Sequence, residues 1–238
     1  MVFATGSRSA VTSTVERPFI SDRAVTSIDA LLELPDVRRL RAALAARPGV
    51  RIDADDGVRR LAAIALVLRP GVGVGMEGDP ELLMIKRAEA EGDPWSGHIA
   101  CPGGRMEPGD HDLEQTAIRE TWEETGVDLA RDGRVLGALD DISPRTPSLP
   151  PIIVRPFIAV VKPELEIVQS SEVAEAFWVP LAALRERAAW GTAMVPVRGY
   201  GERQVTAFRH GNYTVWGLTE RVLRQFLQYL DSAPTAES

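Results

Sequence analysis

The chain has almost no cysteine: Cys101 is the only one among its 238 residues. Without a second thiol no internal disulfide can form, which favours a reducing compartment. Cys101 itself reads as a small buried hydrophobe at the end of a strand. Long apolar runs are missing as well. The longest, Leu61 to Leu68, has strand length and falls well short of the ~18 residues of a membrane span, so no membrane partner is expected. There is no basic excess: 27 Lys and Arg stand against 34 Asp and Glu, a net charge of −7 with the signs mixed along the chain. That argues against binding a nucleic-acid polymer, which calls for a basic face. It leaves room for a small anionic substrate, because a bound divalent cation inverts the local field. Ahead of Glu16 the only charge is Arg8, yet the apolar core of a secretory signal is absent. The start of the chain therefore reads as a tail, and the expected location is cytoplasmic.

What is present belongs to an ordinary globular protein, 45% hydrophobic and 26% charged. Three regions are expected: a tail and helical extension over 1–56, a main domain over 57–232 and a disordered tail over 233–238. Ser27 to Arg47 reads as one or two helices, with Leu31, Leu32, Leu34, Leu40, Ala43 and Leu44 at helical spacing and Pro35 interrupting them. Such an addition packs on a domain edge or on a second subunit, and a homodimer stays open. Beyond it, Leu61–Leu68, Leu82–Ile85, His98–Cys101, Val135–Leu139, Ile152–Val161 and Ala174–Val179 read as strands. Turn-rich Pro70 to Pro80 and the Gly92 to Gly97 loop connect the first of them. Gln204–Arg209 and Tyr213–Trp216 form a hairpin about His210-Gly-Asn, and an amphipathic helix closes the chain from Leu218 to Leu230. Strands and helices do not alternate regularly, so the fold class is α+β.

One helix breaks local rules. Asp112 is a suitable N-cap with Gln115 as capping-box partner, and Gly126 a natural stop. Near its C-terminus Glu120, Glu123 and Glu124 follow one another at i, i+3 and i+4, on one face. Each like-charge neighbour costs about 0.2–0.5 kcal/mol, and acids at the negative end of the helix dipole cost about 0.3–1 kcal/mol each. A sequence that gives up several local preferences at one place marks a candidate site. Converging carboxylates suit a hard cation such as Mg²⁺ or Mn²⁺. A solvated acidic face is the other reading, and spacing alone leaves the two level.

The stretch Gly104-x5-Asp110-x8-Arg119-Glu-Thr-Trp-Glu-Glu-Thr-Gly126-Val127 resembles the Nudix box, G-x5-E-x7-R-E-U-x-E-E-x-G-U, with U a bulky aliphatic. Three departures stand out: Asp110 replaces Glu, one extra residue precedes Arg119, and Thr121 replaces the aliphatic. The resemblance implies an α/β/α sandwich with a mixed central sheet, to which the N-terminal helical extension is added. It also implies hydrolysis of a small-molecule diphosphate. Carried over, Glu120 and Glu124 would be the principal metal ligands, Glu123 a further ligand or support, and a backbone carbonyl at Gly103–Gly104 would complete the set. Arg119 would orient the glutamates. For the general base a box glutamate, Glu172 and Glu175 remain open.

A wider resemblance is to the branch containing coenzyme A diphosphatases. Its signature LLTxR[SA]x3Rx3Gx3FPGG is met by Arg87-Ala88, Gly97 and Pro102-Gly-Gly104, but not in the spacing from Arg87 to Gly97, the second Arg, or the Phe that Cys101 replaces. The leading expectation is cleavage of coenzyme A or an acyl-coenzyme A to 3′-phospho-AMP and (acyl-)4′-phosphopantetheine. The alternatives are an ADP-ribose or other nucleoside-diphosphate pyrophosphatase, and a catalytically silent ligand-binding domain. Arg87, Arg105 and Arg155 are candidate phosphate contacts, and Trp95 a candidate stacking surface. His98 reads as structural, Trp178 and Trp216 as core.

Overall fold

The computed structural model describes residues 27–53, 60–71, 80–91, 95–144, 151–197 and 200–232. The expected tails at 1–26 and 233–238, most of the Pro70–Pro80 connection and residues 92–94 lie outside these.

The run from Leu61 to Leu68 forms the central strand β1 (Arg60–Pro70). Period-2 geometry sends its apolar side chains to opposite faces. Ala63, Ala65 and Val67 enter one core and Leu66 and Leu68 the other. Being buried on both faces is why the sequence here is continuously apolar rather than alternating. β1 runs parallel to β6 (Ile152–Val161), from Arg60 opposite Ile152 to Leu68 opposite Val160. Its other edge is shared. Ala62 to Ile64 pair antiparallel with β4 (Gly103–Arg105) and Leu68 to Pro70 with β2 (Pro80–Arg87). β3 (Ile99–Ala100) and β7 (Val173–Pro180) pair with β2, and β5 (Gly133–Ala138) with β6. The resulting sheet is mixed, as the resemblance implied.

One face of this sheet carries α3 (Leu113–Thr125), packed on Ala63, Ala65 and Val67 through Leu113 and Ala117. The other carries α2 (Pro35–Ala46) and α5 (Gly217–Ser232), with α1 (Ile28–Leu32) ahead of them. Pro35 does separate two helices, and it serves as the first residue of the second, where its missing N–H costs nothing. Val37, Leu40, Ala43 and Leu44 of α2 are buried together with Val222, Leu223, Phe226 and Tyr229 of α5. At about 1.5–3 kcal/mol for each large apolar side chain buried, the N-terminal helix contributes to the main core.

A second antiparallel sheet of β8 (Trp190–Val197), β9 (Gly201–His210) and β10 (Tyr213–Trp216) follows the short helix α4 (Leu181–Arg185). It encloses a small core of Ala193, Val195 and Ala207, on which Trp216 packs. Trp178 is partly buried against the α3-side core. β4 and β8 were not expected from the sequence. β4 is mostly glycine, and β8 contains Gly191 and Pro196 with only alternate residues facing inward.

Candidate active site

α3 begins and ends as its sequence dictates. The Asp112 carboxylate accepts the Gln115 N–H at 2.8 Å, Gln115 in turn accepts the His111 N–H at 2.8 Å, and Gly126 closes the helix in the left-handed region at φ 71°. Thr121 is fully buried where the family pattern has an aliphatic residue, and its hydroxyl donates to the Ala117 carbonyl at 2.7 Å. The helix itself satisfies that polar group, so the substitution keeps the packed shape without leaving an orphan donor.

Arg119 is the hub of the helix's outer side. Its Nε and Nη2 each lie 3.0 Å from an Asp110 oxygen, Nη2 also donates to the Arg105 carbonyl at 2.9 Å, and Nη1 reaches Glu120 at 3.0 Å and Glu123 at 2.9 Å. Asp110 is buried and further accepts from the Glu107 N–H and the Thr116 hydroxyl, both at 2.9 Å. The Arg119 guanidinium holds its carboxyl well below the usual carboxylate range. The one-residue-longer loop thus delivers a shorter acid to the arginine, and Asp110 works as its anchor.

The three glutamates do not share one environment. Glu124 is only 3% exposed. One of its oxygens accepts the Gly103 N–H at 2.8 Å and the other lies 3.4 Å from Nη1 of Arg87. Glu120 lies against Gly104, where an added Cβ would fall 2.3 Å from its Oε1; a residue without a side chain is what lets that carboxylate in. Glu123, its side chain 47% exposed, points outward to Arg119. Burial, chiefly, pushes Glu124 up to about 7, against the lowering effect of the Gly103 N–H and Arg87, with the charges of Glu120 and Glu172 raising it further. Burial also raises Glu120, opposed by Arg119 and assisted by Glu123 and Glu172.

Glu172 reaches this cluster because its loop is tied to the end of α3. Val168 N–H donates to Thr125 O at 2.9 Å, Ser170 N–H to Glu124 O at 3.2 Å, and Glu172 O accepts from Ala88 N–H at 2.8 Å. Glu175 goes elsewhere. On β7 it shares a face with Phe177 and Val179, on the core opposite α3, and it accepts a short hydrogen bond from the Tyr213 hydroxyl. Of the two late acids, Glu172 is the one whose charge acts on the glutamates, while the two-residue period of β7 puts Glu175 on the other face.

The accessory residues divide similarly. Arg87 joins the cluster. Arg105 is exposed and contributes its backbone carbonyl to Arg119. Arg155 is committed to Asp141 through two bonds of 2.8 and 2.9 Å, which ties it to structure rather than offering it to phosphate. Trp95 is half-buried in a turn and its carbonyl accepts the His98 N–H at 3.1 Å. The His98 ring lies 4.5 Å from that of Trp216. Cys101 is buried, and burial pushes its thiol up to about 12, which makes it inert. A groove of about 710 Å³ between α2 and β5, lined by Arg38, Arg41 and Arg51 among others, contains none of the glutamates; the chemistry lies on the other face.

The donors suit a hard divalent cation. Two carboxylates, Glu120 and Glu124, sit where the charge of Glu172 raises the proton affinity of both. Gly104 makes room for one of them. Among the described residues no group of three or more His, Cys, Asp or Glu side chains is arranged to hold a metal ion by itself, so a cation here would take backbone and solvent oxygens beside the carboxylates. The register refines the backbone donor. The Met106 N–H bonds to Leu61 O and the Ala65 N–H to Pro102 O, which makes Gly104, opposite Ala63, a ladder-bonded position. Gly103 stands at the alternate position, where N–H and C=O face away from β1, and its N–H already meets Glu124.

Residues 60–196, more than half of the chain, match the model of the NUDIX domain. An uncharacterized protein of Schizosaccharomyces pombe is 40% identical over 110 residues, which cover 44% of this chain and 33% of that one; the chain spans about a third of that relative's length. The mitochondrial coenzyme A diphosphatase NUDT8 of Homo sapiens is 32% identical over 174 residues, 73% of this chain and 72% of that protein. The crystal structure of a MutT/nudix family protein from Enterococcus faecalis shares the fold at TM-score 0.50 and 19% identity, over 73% of this chain and 62% of that one. Fold and site define a hydrolase of diphosphate-linked small molecules, of a class that generally uses divalent metal ions. The chain belongs to the Nudix family.

Proposed function

We propose that the chain hydrolyses coenzyme A or an acyl-coenzyme A at its diphosphate, releasing 3′-phospho-AMP and (acyl-)4′-phosphopantetheine. The observation that supports this substrate is the likeness to the human coenzyme A diphosphatase over nearly three quarters of both chains. The partial branch signature agrees with it, and its Arg87 stands 3.4 Å from Glu124.

In this reading Glu120 and Glu124 hold Mg²⁺ or Mn²⁺ together with the Gly103 carbonyl, while Glu123 acts through Arg119. The cation would neutralise the diphosphate and raise the acidity of a water. The water oxygen bonds to one phosphorus, the bond from that phosphorus to the bridging oxygen breaks, and the proton released by the water passes to a carboxylate. We assign that proton to Glu172, a reading supported by its exposure and by the effect of its charge on both Glu120 and Glu124. Arg119, fixed by Asp110, keeps Glu120 oriented.

A panel of coenzyme A, acetyl-coenzyme A, ADP-ribose and NADH, each incubated with Mg²⁺ or Mn²⁺ and analysed by mass spectrometry, tests the substrate. Release of 3′-phospho-AMP is expected to dominate. Preferential cleavage of ADP-ribose would replace this substrate with the alternative, and tight binding without turnover would make the chain a ligand-binding domain.

A further inference from the structure

The groove between α2 and β5 lies at one end of the central sheet, of which β5 is the terminal strand. Its walls are fixed. Val37, Leu40 and Leu44 hold α2 in the main core. The chain at 48–51 presses on the end of β5, where a Cβ added at Gly49 would fall 2.3 Å from the Leu139 carbonyl oxygen. Arg51 lines that wall and donates to the same carbonyl at 2.6 Å. Arg38 and Arg41, three residues apart on α2, line the other. Among the described residues neither of these two has a hydrogen bond or an ion pair, and no acid lines the groove. In the neighbouring stretches of chain, Asp36 is bound to Arg39 and Asp140 to Arg47, each at 2.6 Å. Asp141 lies 3.5 Å from Arg51 but is bound more closely to Arg155, at 2.8 Å.

We infer that this groove binds a small organic phosphate, with the phosphate on Arg38, Arg41 and Arg51 and the uncharged body along Leu44, Leu136 and Pro48. Like charges three residues apart on a helix repel. Giving up a local preference in this way is the sign that also marked the acidic helix. In a chain of net charge −7, three arginines around one groove without an acid depart from the surface average. Guanidinium forks match phosphate oxygens through paired bonds. Arg51 is already held by Leu139, so less of its freedom is lost when an anion arrives. A volume of about 710 Å³ falls within the roughly 300–1,000 Å³ of small-molecule sites. That exceeds what a bare phosphate fills, and the remaining lining is apolar or backbone. Three arginines make too short a basic face for a nucleic-acid polymer. None of the catalytic glutamates lines the groove, so binding there needs no divalent cation.

The test is calorimetric titration of the full chain, with chelator present, using AMP, inorganic phosphate and adenosine as probes. AMP is expected to bind one per chain, at least about threefold more tightly than inorganic phosphate, and adenosine not to bind up to about 1 mM. The double change Arg38→Gln with Arg41→Gln is expected to weaken AMP at least about tenfold. Arg203→Gln with Arg221→Gln removes the same charge elsewhere and is expected to leave AMP affinity within about twofold. All four side chains are exposed, so the fold is not at stake. Arg41→Lys keeps the charge but not the fork, and is expected to weaken AMP about threefold. AMP binding that survives loss of Arg38 and Arg41 lies in the catalytic cleft and overturns the assignment. Equal losses in the two double variants reduce it to net charge, and adenosine binding as well as AMP removes the phosphate from it. AMP binding no more tightly than inorganic phosphate overturns the organic ligand.

Discussion

Two regions of the molecule, the seam with the N-terminal segment and the C-terminal end of α3, treat charge in opposite ways. Beside the N-terminal segment, Asp140 and Asp141 are closed off by partners. Asp140 binds Arg47 at 2.6 Å, the Val50 N–H at 2.8 Å and the Tyr229 hydroxyl at 3.0 Å; Asp141 binds Arg155 twice and the Ile52 N–H at 3.1 Å. These contacts join the N-terminal segment to β6 and α5, and every acid in them has a cation. At the end of α3, Arg119 is shared among Asp110, Glu120 and Glu123, while Glu124 sits almost fully buried, 3.4 Å from Arg87. The first arrangement is built for stability and the second gives some of it up. A buried, under-compensated carboxylate is costly unless something else binds there.

The sharpest way to break this comparison is Glu124→Gln. Loss of an ionised ligand is expected to lower turnover more than about 100-fold. The same change should stabilise the metal-free protein. The folded-state pKa of Glu124 is raised to about 7, so ionising it opposes folding, increasingly as the pH climbs from the unfolded carboxylate range to about 7. At pH 8 the glutamine removes that cost, an expected gain of about 1–3 kcal/mol in denaturant unfolding with chelator present, and the gain vanishes near pH 4. Equal stability at both pH values would refute the strained-carboxylate picture.

Next comes Glu172→Gln against Glu175→Gln. The former is expected to reduce kcat about 10²-fold and the latter to leave it within about twofold, because Glu175 belongs to the other face. Equal losses would show that the sheet does not separate them.

Asp110→Asn leaves Arg119 under-compensated and is expected to cost about 3 kcal/mol of stability. The Asp110 carboxyl is depressed in the folded state, so its contribution is complete above the unfolded carboxylate pKa of about 4 and is lost as the pH falls below it. Urea melts at pH 7 and pH 3 should therefore differ less for Asp110→Asn than for wild type. Asp141→Asn is the smallest test, expected to cost about 2 kcal/mol in stability with KM and kcat near wild type; a large loss of turnover would place Arg155 in catalysis after all.

Much of the catalytic helix was legible because its signals are local. Asp112, Gln115 and Gly126 act within a few residues of where they stand, so cap and stop could be read directly. β1 could be read as buried from its unbroken apolar run. β8 could not, since Gly191 and Pro196 weaken any strand signal and only its pairing with β9 supplies the reason to be extended. The direction of each glutamate was equally hidden. Spacing put Glu120, Glu123 and Glu124 on one face, but which of them turns inward depends on where β4 lies against the helix. Arg155 looked like a candidate phosphate contact because nothing near it in sequence shows that Asp141 meets it across the fold.

The sequence by itself determined the helix Asp112–Thr125, its run of three glutamates and the arginine among them, because capping, periodicity and spacing are properties of neighbouring residues. Only the tertiary structure decided that Glu124 is buried against Gly103, that Glu123 faces outward, that Asp110 anchors Arg119 across a lengthened loop and that Glu172 rather than Glu175 borders the site. Each of those outcomes follows from strand register and burial, which bring together residues that no local pattern connects.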